Sequence, residues 1–198
     1  MKRVCLIGDS IRMGYEPTVR KELADVADIF APTENGQHTV NLLLHFYEWI
    51  QQKNPAVVHI AAGGWDVRNV IRGVAGNIVP LEAYRQNVDR LLTLIQTHTR
   101  ATTIWATITP MNIAANFKHH EATGHPGRTE GDIERYNAAA MEVARAHGVP
   151  VNDIYAVVQR EGKEQMLCPD GVHLNADGYE KLGKIVAQKI HVALTSHS

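Results

Sequence analysis

The stretch Val4-Cys5-Leu6-Ile7-Gly8-Asp9-Ser10 sets the reading of the chain. Its apolar run is too short for a helix and ends in a Gly-Asp-Ser turn. A strand buried on both faces of a parallel sheet reads this way. Similar runs recur downstream at Ala27 to Ala31, Ala56 to Ala62, Thr102 to Ile108 and, briefly, Val149 to Val151. Together they predict five strands.

Between the runs the apolar spacing becomes helical. Val40, Leu43, Leu44 and Tyr47 share one face, as do Leu81, Tyr84, Val88, Leu91, Leu92 and Ile95. Pro80 suits the first turn of the latter helix, where a missing N–H costs nothing. Ile133, Tyr136, Ala140, Val143 and His147 mark a third face, stopped by Gly148 and Pro150. Asn175 is a good N-cap for a last helix carrying Tyr179, Leu182, Val186 and Ile190. This alternation predicts an α/β fold: one doubly wound, mostly parallel five-stranded sheet with helices on both faces, a three-layer sandwich. Lacking a linker, repeat or low-complexity tract, residues 1–198 read as a single domain. The longest irregular stretch, Met111 to about Gly131, exceeds an ordinary connection and reads as a functional loop.

Composition narrows the function. Lys plus Arg (20) nearly balance Asp plus Glu (21), so net charge draws the protein to neither nucleic acid nor an anionic membrane. The apolar run after Met1-Lys2-Arg3 breaks at Gly8-Asp9-Ser10, too early for an export segment, and no run approaches a membrane span. Cys5 and Cys168 are too few for a disulfide framework and read as packing residues. The expectation is a cytoplasmic protein acting on a small molecule or neutral glycan, with homo-oligomerisation left open.

In a parallel α/β sheet ligands bind at the carboxyl ends of the strands. Those ends carry Gly8-Asp9-Ser10, Asn35-Gly36, Gly63-Gly64-Trp65-Asp66 and Thr109-Pro110-Met111-Asn112, and Pro169-Asp170-Gly171-Val172-His173 precedes the final helix. Alone, Gly-Asp-Ser is a common turn composition and a lone histidine is more often structural. A serine hydroxyl, however, becomes a nucleophile when a base takes its proton, and that base needs an acceptor to fix its tautomer. Ser10, His173 and Asp170 offer these parts on one edge of the sheet.

These blocks resemble the SGNH hydrolases, the GDSL esterases and lipases. Ile7-Gly8-Asp9-Ser10-Ile11 resembles the family's nucleophile block, and Asp170-Gly171-Val172-His173-Leu174-Asn175, with Gly178-Tyr179, its Asp-x-x-His block. Asp132-Ile133 with Tyr136-Asn137 resembles the helix preceding that block. The resemblance implies a serine esterase working without metal or cofactor. It makes Ser10 the nucleophile and a backbone oxyanion donor, Gly36 a second backbone donor, and Asp170 and His173 the rest of the triad.

The third block departs from the family's Gly-x-Asn-Asp, because Trp65 stands where a side-chain oxyanion donor is expected. Indole donates only from its nitrogen, on a longer arm. Asn69, Asn112 or a two-donor hole are the alternatives, and Trp65, Asp66, Arg68 and Asn112 are the candidate substrate pocket. His119, His120 and His125 with Glu121 lack zinc-site spacing and read as solvated loop or pocket wall. Two readings follow for the whole: an esterase for small, acetyl-type esters, with a carbohydrate among the candidate substrates, or a weakly active or non-catalytic binding domain on the same scaffold. Nucleotide binding fails for want of a glycine-rich phosphate cradle.

Overall fold

The computed structural model describes residues 1–71, 76–121 and 127–196; His125 lies outside them. In chain order the elements are β1 (Lys2–Gly8), α1 (Ser10–Glu22), β2 (Ala27–Phe30), α2 (Thr39–Leu44), α3 (Phe46–Trp49), β3 (Val57–Ala61) and α4 (Leu81–His98). There follow β4 (Thr102–Ala106), α5 (Ile113–His119), α6 (Asp132–Ala146), β5 (Val151–Asn152), α7 (Ile154–Arg160), α8 (Lys163–Met166) and α9 (Ala176–Thr195).

The five strands form one sheet in the order β2-β1-β3-β4-β5, and every pairing is parallel. The fold is therefore the expected α/β sandwich, with a sheet that is wholly rather than mostly parallel. Alternation along each strand feeds two cores. Cys5, Ile7, Val58, Ile60 and Trp105 pack under α4 and α6, while Val4, Leu6, Val57, Ala61 and Ile104 pack under α1 and α9. The strand order turns back between β1 and β3, the point where a doubly wound sheet opens a crevice.

Two expectations are corrected. Of the face of Val40, Leu43, Leu44 and Tyr47, Leu43 packs against the core while the other three are turned to solvent, at 40%, 76% and 63% exposure, and the segment breaks into α2 and α3. Leu42, Phe46 and Trp49 bury the other face, which has the same helical spacing and contains the larger rings. The stretch Met111–Gly131 is not wholly irregular, because Asn112 accepts a hydrogen bond from Ala115 N–H and starts α5. Elsewhere local chemistry performs as read. Asn175 Oδ1 accepts from Gly178 N–H at 2.9 Å to start α9, while Pro80 takes the N-cap position, one residue ahead of the first turn of α4.

Helices α1 and α9 lie close together. A Cβ on Gly183 would come 2.5 Å from the Thr18 Cβ and 3.0 Å from the Tyr15 carbonyl oxygen. Gly183→Ala gains about 1 kcal/mol in helix propensity. Overpacking a tight contact costs about 1–3 kcal/mol, so the clash wins. We expect this substitution to lower the denaturant midpoint in chemical unfolding; a raised midpoint would show that the helices can part cheaply.

Candidate active site

Ser10 is the first residue of α1, so its N–H has no intrahelical acceptor. Asp9 caps the helix, its Oδ1 accepting from Ile11 N–H at 3.0 Å. Burial raises the Asp9 pKa, opposed by that hydrogen bond and by the positive charge of Arg128. The turn from β1 into α1 thereby aims Ser10 Oγ into the crevice.

The base arrives from the other end of the chain. Asp170 Oδ1 accepts from the backbone N–H of Val172 at 2.9 Å and of His173 at 3.0 Å, folding the loop into a tight turn. Its Oδ2 lies 2.5 Å from His173 Nδ1, and His173 Nε2 lies 2.9 Å from Ser10 Oγ. A carboxylate can only accept, so Nδ1 carries the proton and Nε2 is left to receive one from serine. Burial works to raise the Asp170 pKa, but the hydrogen bonds from the His173 ring and from the Val172 and His173 backbones prevail and hold it below the usual carboxylate value.

The three side chains open on a cleft of about 340 Å³ that is also lined by Asn35, Trp65, Arg68, His119, His120, Arg128 and Val172. A larger groove of about 520 Å³ lies by Thr102, Pro150 and Lys189, near the amino-terminal ends of β4 and β5. In that groove the Ser196 hydroxyl donates to the Val192 carbonyl at 2.8 Å, and no histidine lines it among the described residues, so the smaller cleft is the candidate site. Trp65 and Arg68 line it, with the Arg68 guanidinium 5.2 Å from the Trp65 ring centre.

Three expected site residues do not take their places. Asp66 is fully buried, and its carboxylate accepts from Thr39 N–H at 3.1 Å and from Thr39 Oγ at 2.5 Å, fixing the start of α2 instead of touching the cleft. Asn112 is engaged at both ends of its amide, capping α5 with Oδ1 and donating to Glu164 Oε2 at 3.1 Å. The Gly36 N–H donates to the Gly8 carbonyl at 3.0 Å, so it is occupied in bracing the β1 terminus and is not presented to the cleft. Asn69, the other alternative donor, is buried and accepts from Thr129 Oγ through its Oδ1.

Sequence reasoning missed Arg128 and Asn116. Arg128 reaches the wall because its backbone pairs antiparallel with Arg68 and because Gly127 accepts from Asn69 N–H at 2.9 Å. Asn116 donates to the Asp170 carbonyl at 3.2 Å and stands between Arg128 and the triad loop. Neither sits at a strand end, and the one available signal was an arginine within an unusually long connection.

A family model described as the GDSL-like lipase/acylhydrolase family matches residues 6–181. The chain belongs to that family. Membership places it among the acylhydrolases, which are carboxylic ester hydrolases. Several solved structures share the fold. A lipase/acylhydrolase from Enterococcus faecalis superposes with a TM-score of 0.77 at 22% identity, over 96% of this chain and 95% of that one. An acetyl xylan esterase, AlAXEase, gives 0.75 at 17% identity, over 96% and 100%. An acetylxylan esterase from Geobacillus stearothermophilus gives 0.70 at 15% identity, over 98% and 94%. A multidomain esterase from Ruminococcus flavefaciens is 38% identical over 68 residues, which is 34% of this chain and 9% of that protein. Among the described residues no helix is long and apolar enough to cross a membrane.

The reassignment of Asp66 makes a specific expectation. Asp66→Ala leaves the Thr39 N–H and hydroxyl without their buried acceptor, which costs about 1–3 kcal/mol per unsatisfied group. Denaturant unfolding should show that loss while KM of the folded fraction is unchanged; a raised KM with full stability would return Asp66 to the substrate pocket. Asp170 also carries a pH signature. Its pKa is depressed on folding from 3.8, so the stability it adds is present above that value and is lost as the pH falls through the lower, folded value. Thermal melts of Asp170→Asn and wild type should therefore differ at neutral pH and converge in acid.

Proposed function

We propose that this protein is a serine esterase that removes short acyl groups, acetyl foremost, from a small polar or carbohydrate alcohol. The observation that carries the reading is the unbroken relay Ser10 Oγ–His173 Nε2 at 2.9 Å and His173 Nδ1–Asp170 Oδ2 at 2.5 Å, open to one cleft.

Ser10 Oγ attacks the ester carbonyl carbon while His173 Nε2 takes the hydroxyl proton. The carbonyl electron pair moves to oxygen, and Asp170 stabilises the imidazolium and holds its orientation. As the tetrahedral species collapses, His173 returns the proton to the departing alcohol, leaving an acyl group on Ser10. Water, deprotonated by the same histidine, then attacks that acyl group, and His173 returns the proton to Ser10 Oγ as the acid leaves.

The cleft's composition supports a short acyl group. Val172 and the Trp65 ring are its apolar surfaces, whereas Asn35, Arg68, His119, His120 and Arg128 are polar or basic. A long chain gains about 0.8 kcal/mol for each methylene buried, and Val172 and the Trp65 ring are the two apolar side chains of the lining that could receive it. A flat indole beside polar groups suits a sugar ring. The acetyl xylan esterases that share the fold are consistent with this substrate class.

The test is a panel of 4-nitrophenyl esters from acetyl to decanoyl. We expect acetyl and butyryl to be fastest, a fluorophosphonate probe to label Ser10 by peptide mass spectrometry, and Ser10→Ala to be inactive. Asp170→Asn should keep its fold and lose roughly 10⁴ in rate. Rates climbing steadily with chain length would overturn the substrate class, and full turnover by Ser10→Ala would overturn the mechanism.

A further inference from the structure

Arg128 lies in the cleft wall with 8% of its surface exposed, and its hydrogen bonds all go to neutral acceptors. Nε and Nη2 donate to the Gly64 carbonyl at 3.2 and 2.9 Å, and Nη1 donates to Asn116 Oδ1 at 3.5 Å. A guanidinium has five N–H groups, so these three bonds leave two at its Nη ends. No carboxylate of the described residues pairs with it at ion-pair distance. Burial lowers its pKa to about 10, with the charges of Asp9 and Asp170 acting in the opposite sense, so it remains a cation at neutral pH. A buried cation without an ion partner is costly to maintain. Here it lines the same cleft as the nucleophile.

Its position is informative. The carbonyl it grips belongs to Gly64, the residue immediately before Trp65, and Trp65 occupies the place of the family's side-chain oxyanion donor. The Gly36 N–H, the expected backbone donor, is occupied by the Gly8 carbonyl. Of the two backbone donors expected at the outset, the Ser10 N–H remains.

We propose that Arg128 is the side-chain oxyanion donor of this enzyme, an Nη–H taking over the work of the asparagine that Trp65 replaces. The proposal rests on the serine mechanism above. As the Ser10 Oγ–carbon bond forms, the carbonyl π pair becomes a lone pair on oxygen. That oxygen receives hydrogen bonds from Ser10 N–H and Arg128 Nη–H, and no proton is transferred to it. When the carbonyl re-forms, the pair returns and the alcohol leaves with the proton from His173. A neutral carbonyl gains little from such a donor and the developing anion gains much, so the effect falls on the chemical step. The Nε/Nη2 edge, which could hold a carboxylate in a parallel fork, is engaged with Gly64. The remaining Nη–H groups can donate to an oxygen that becomes charged during the reaction. Asn116 holds the Arg128 end and the Asp170 loop together, so the donor is fixed before substrate arrives.

The experiment compares wild type, Arg128→Gln, Arg128→Lys and Arg128→Gln/Trp65→Asn on 4-nitrophenyl acetate and on its anionic analogue, the 4-nitrophenyl hemisuccinate. Arg128→Gln should lose about 10²–10³ in kcat on both esters with KM little changed. Restoring asparagine in the double variant should recover a large part of that loss, which a merely structural arginine does not predict. Arg128→Lys preserves the charge and covers the case in which the glutamine variant does not fold. It should also lose kcat, because one ammonium cannot hold Gly64 and reach the oxyanion together. A folded Arg128→Lys with wild-type kcat on the acetate overturns the proposal. A defect confined to KM of the hemisuccinate also overturns it, and makes Arg128 an anchor for a substrate carboxylate. Fluorophosphonate labelling of wild-type Ser10 separates the levels: without it the serine mechanism itself fails, and with it any failure belongs to Arg128 alone.

Discussion

The carboxyl end of β1 at Gly8 is the point on which the site depends. A Cβ there would come 2.4 Å from the Ala61 carbonyl oxygen, so only glycine lets β3 run this close beside the turn into α1. The Gly8 carbonyl in turn accepts from Gly36 N–H, drawing the loop after β2 over the same spot. Asp9 follows, its carboxyl against Gly64 of the third strand-end loop. Three loops are thus gathered around one backbone turn before any catalytic side chain is considered. The hydroxyl of Ser10 is aimed by this crowding, and so is the wall that faces it.

Much of this was legible in the sequence because it is local. A short apolar run ended by Gly-Asp-Ser specifies a strand and a turn, and Asp170 with His173 three residues later specifies a turn that joins carboxylate to imidazole. The cap at Asn175 is likewise decided within a few residues of itself. What escaped was non-local or degenerate. Leu42, Phe46 and Trp49 have the same spacing as Val40, Leu44 and Tyr47, and only the sheet beneath decides which face is covered. Asp66 looked like a pocket residue until Thr39 was brought to it from 27 positions away. Arg128 depends on a backbone pairing with Arg68, sixty residues apart, for which the sequence carries no periodic sign.

The electrostatic design follows from these placements. Asp170 is charged, partly solvated and supplied with hydrogen bonds, whereas Asp9 is buried and pushed toward protonation. Arg68 and Arg128 line the same cleft as the acidic member of the triad. A site arranged this way favours negative charge that appears on the substrate during reaction, while the orienting carboxylate stays behind the histidine ring.

The close contact between α1 and α9 bears on more than stability. The base and its orienting acid are neighbours in sequence, so their mutual geometry is set by a four-residue turn and survives almost any rearrangement elsewhere. The nucleophile is 163 residues away, and the helices that begin next to each partner touch along their length, with Gly14 against the Tyr179 ring and Gly183 against Thr18. Those two helices act as the jaws of a clasp that closes the chain's ends on one another. The distance between Ser10 and His173 is therefore a gauge of that closure: a slip along the helix seam of a fraction of a side chain would leave every loop intact and still open the relay.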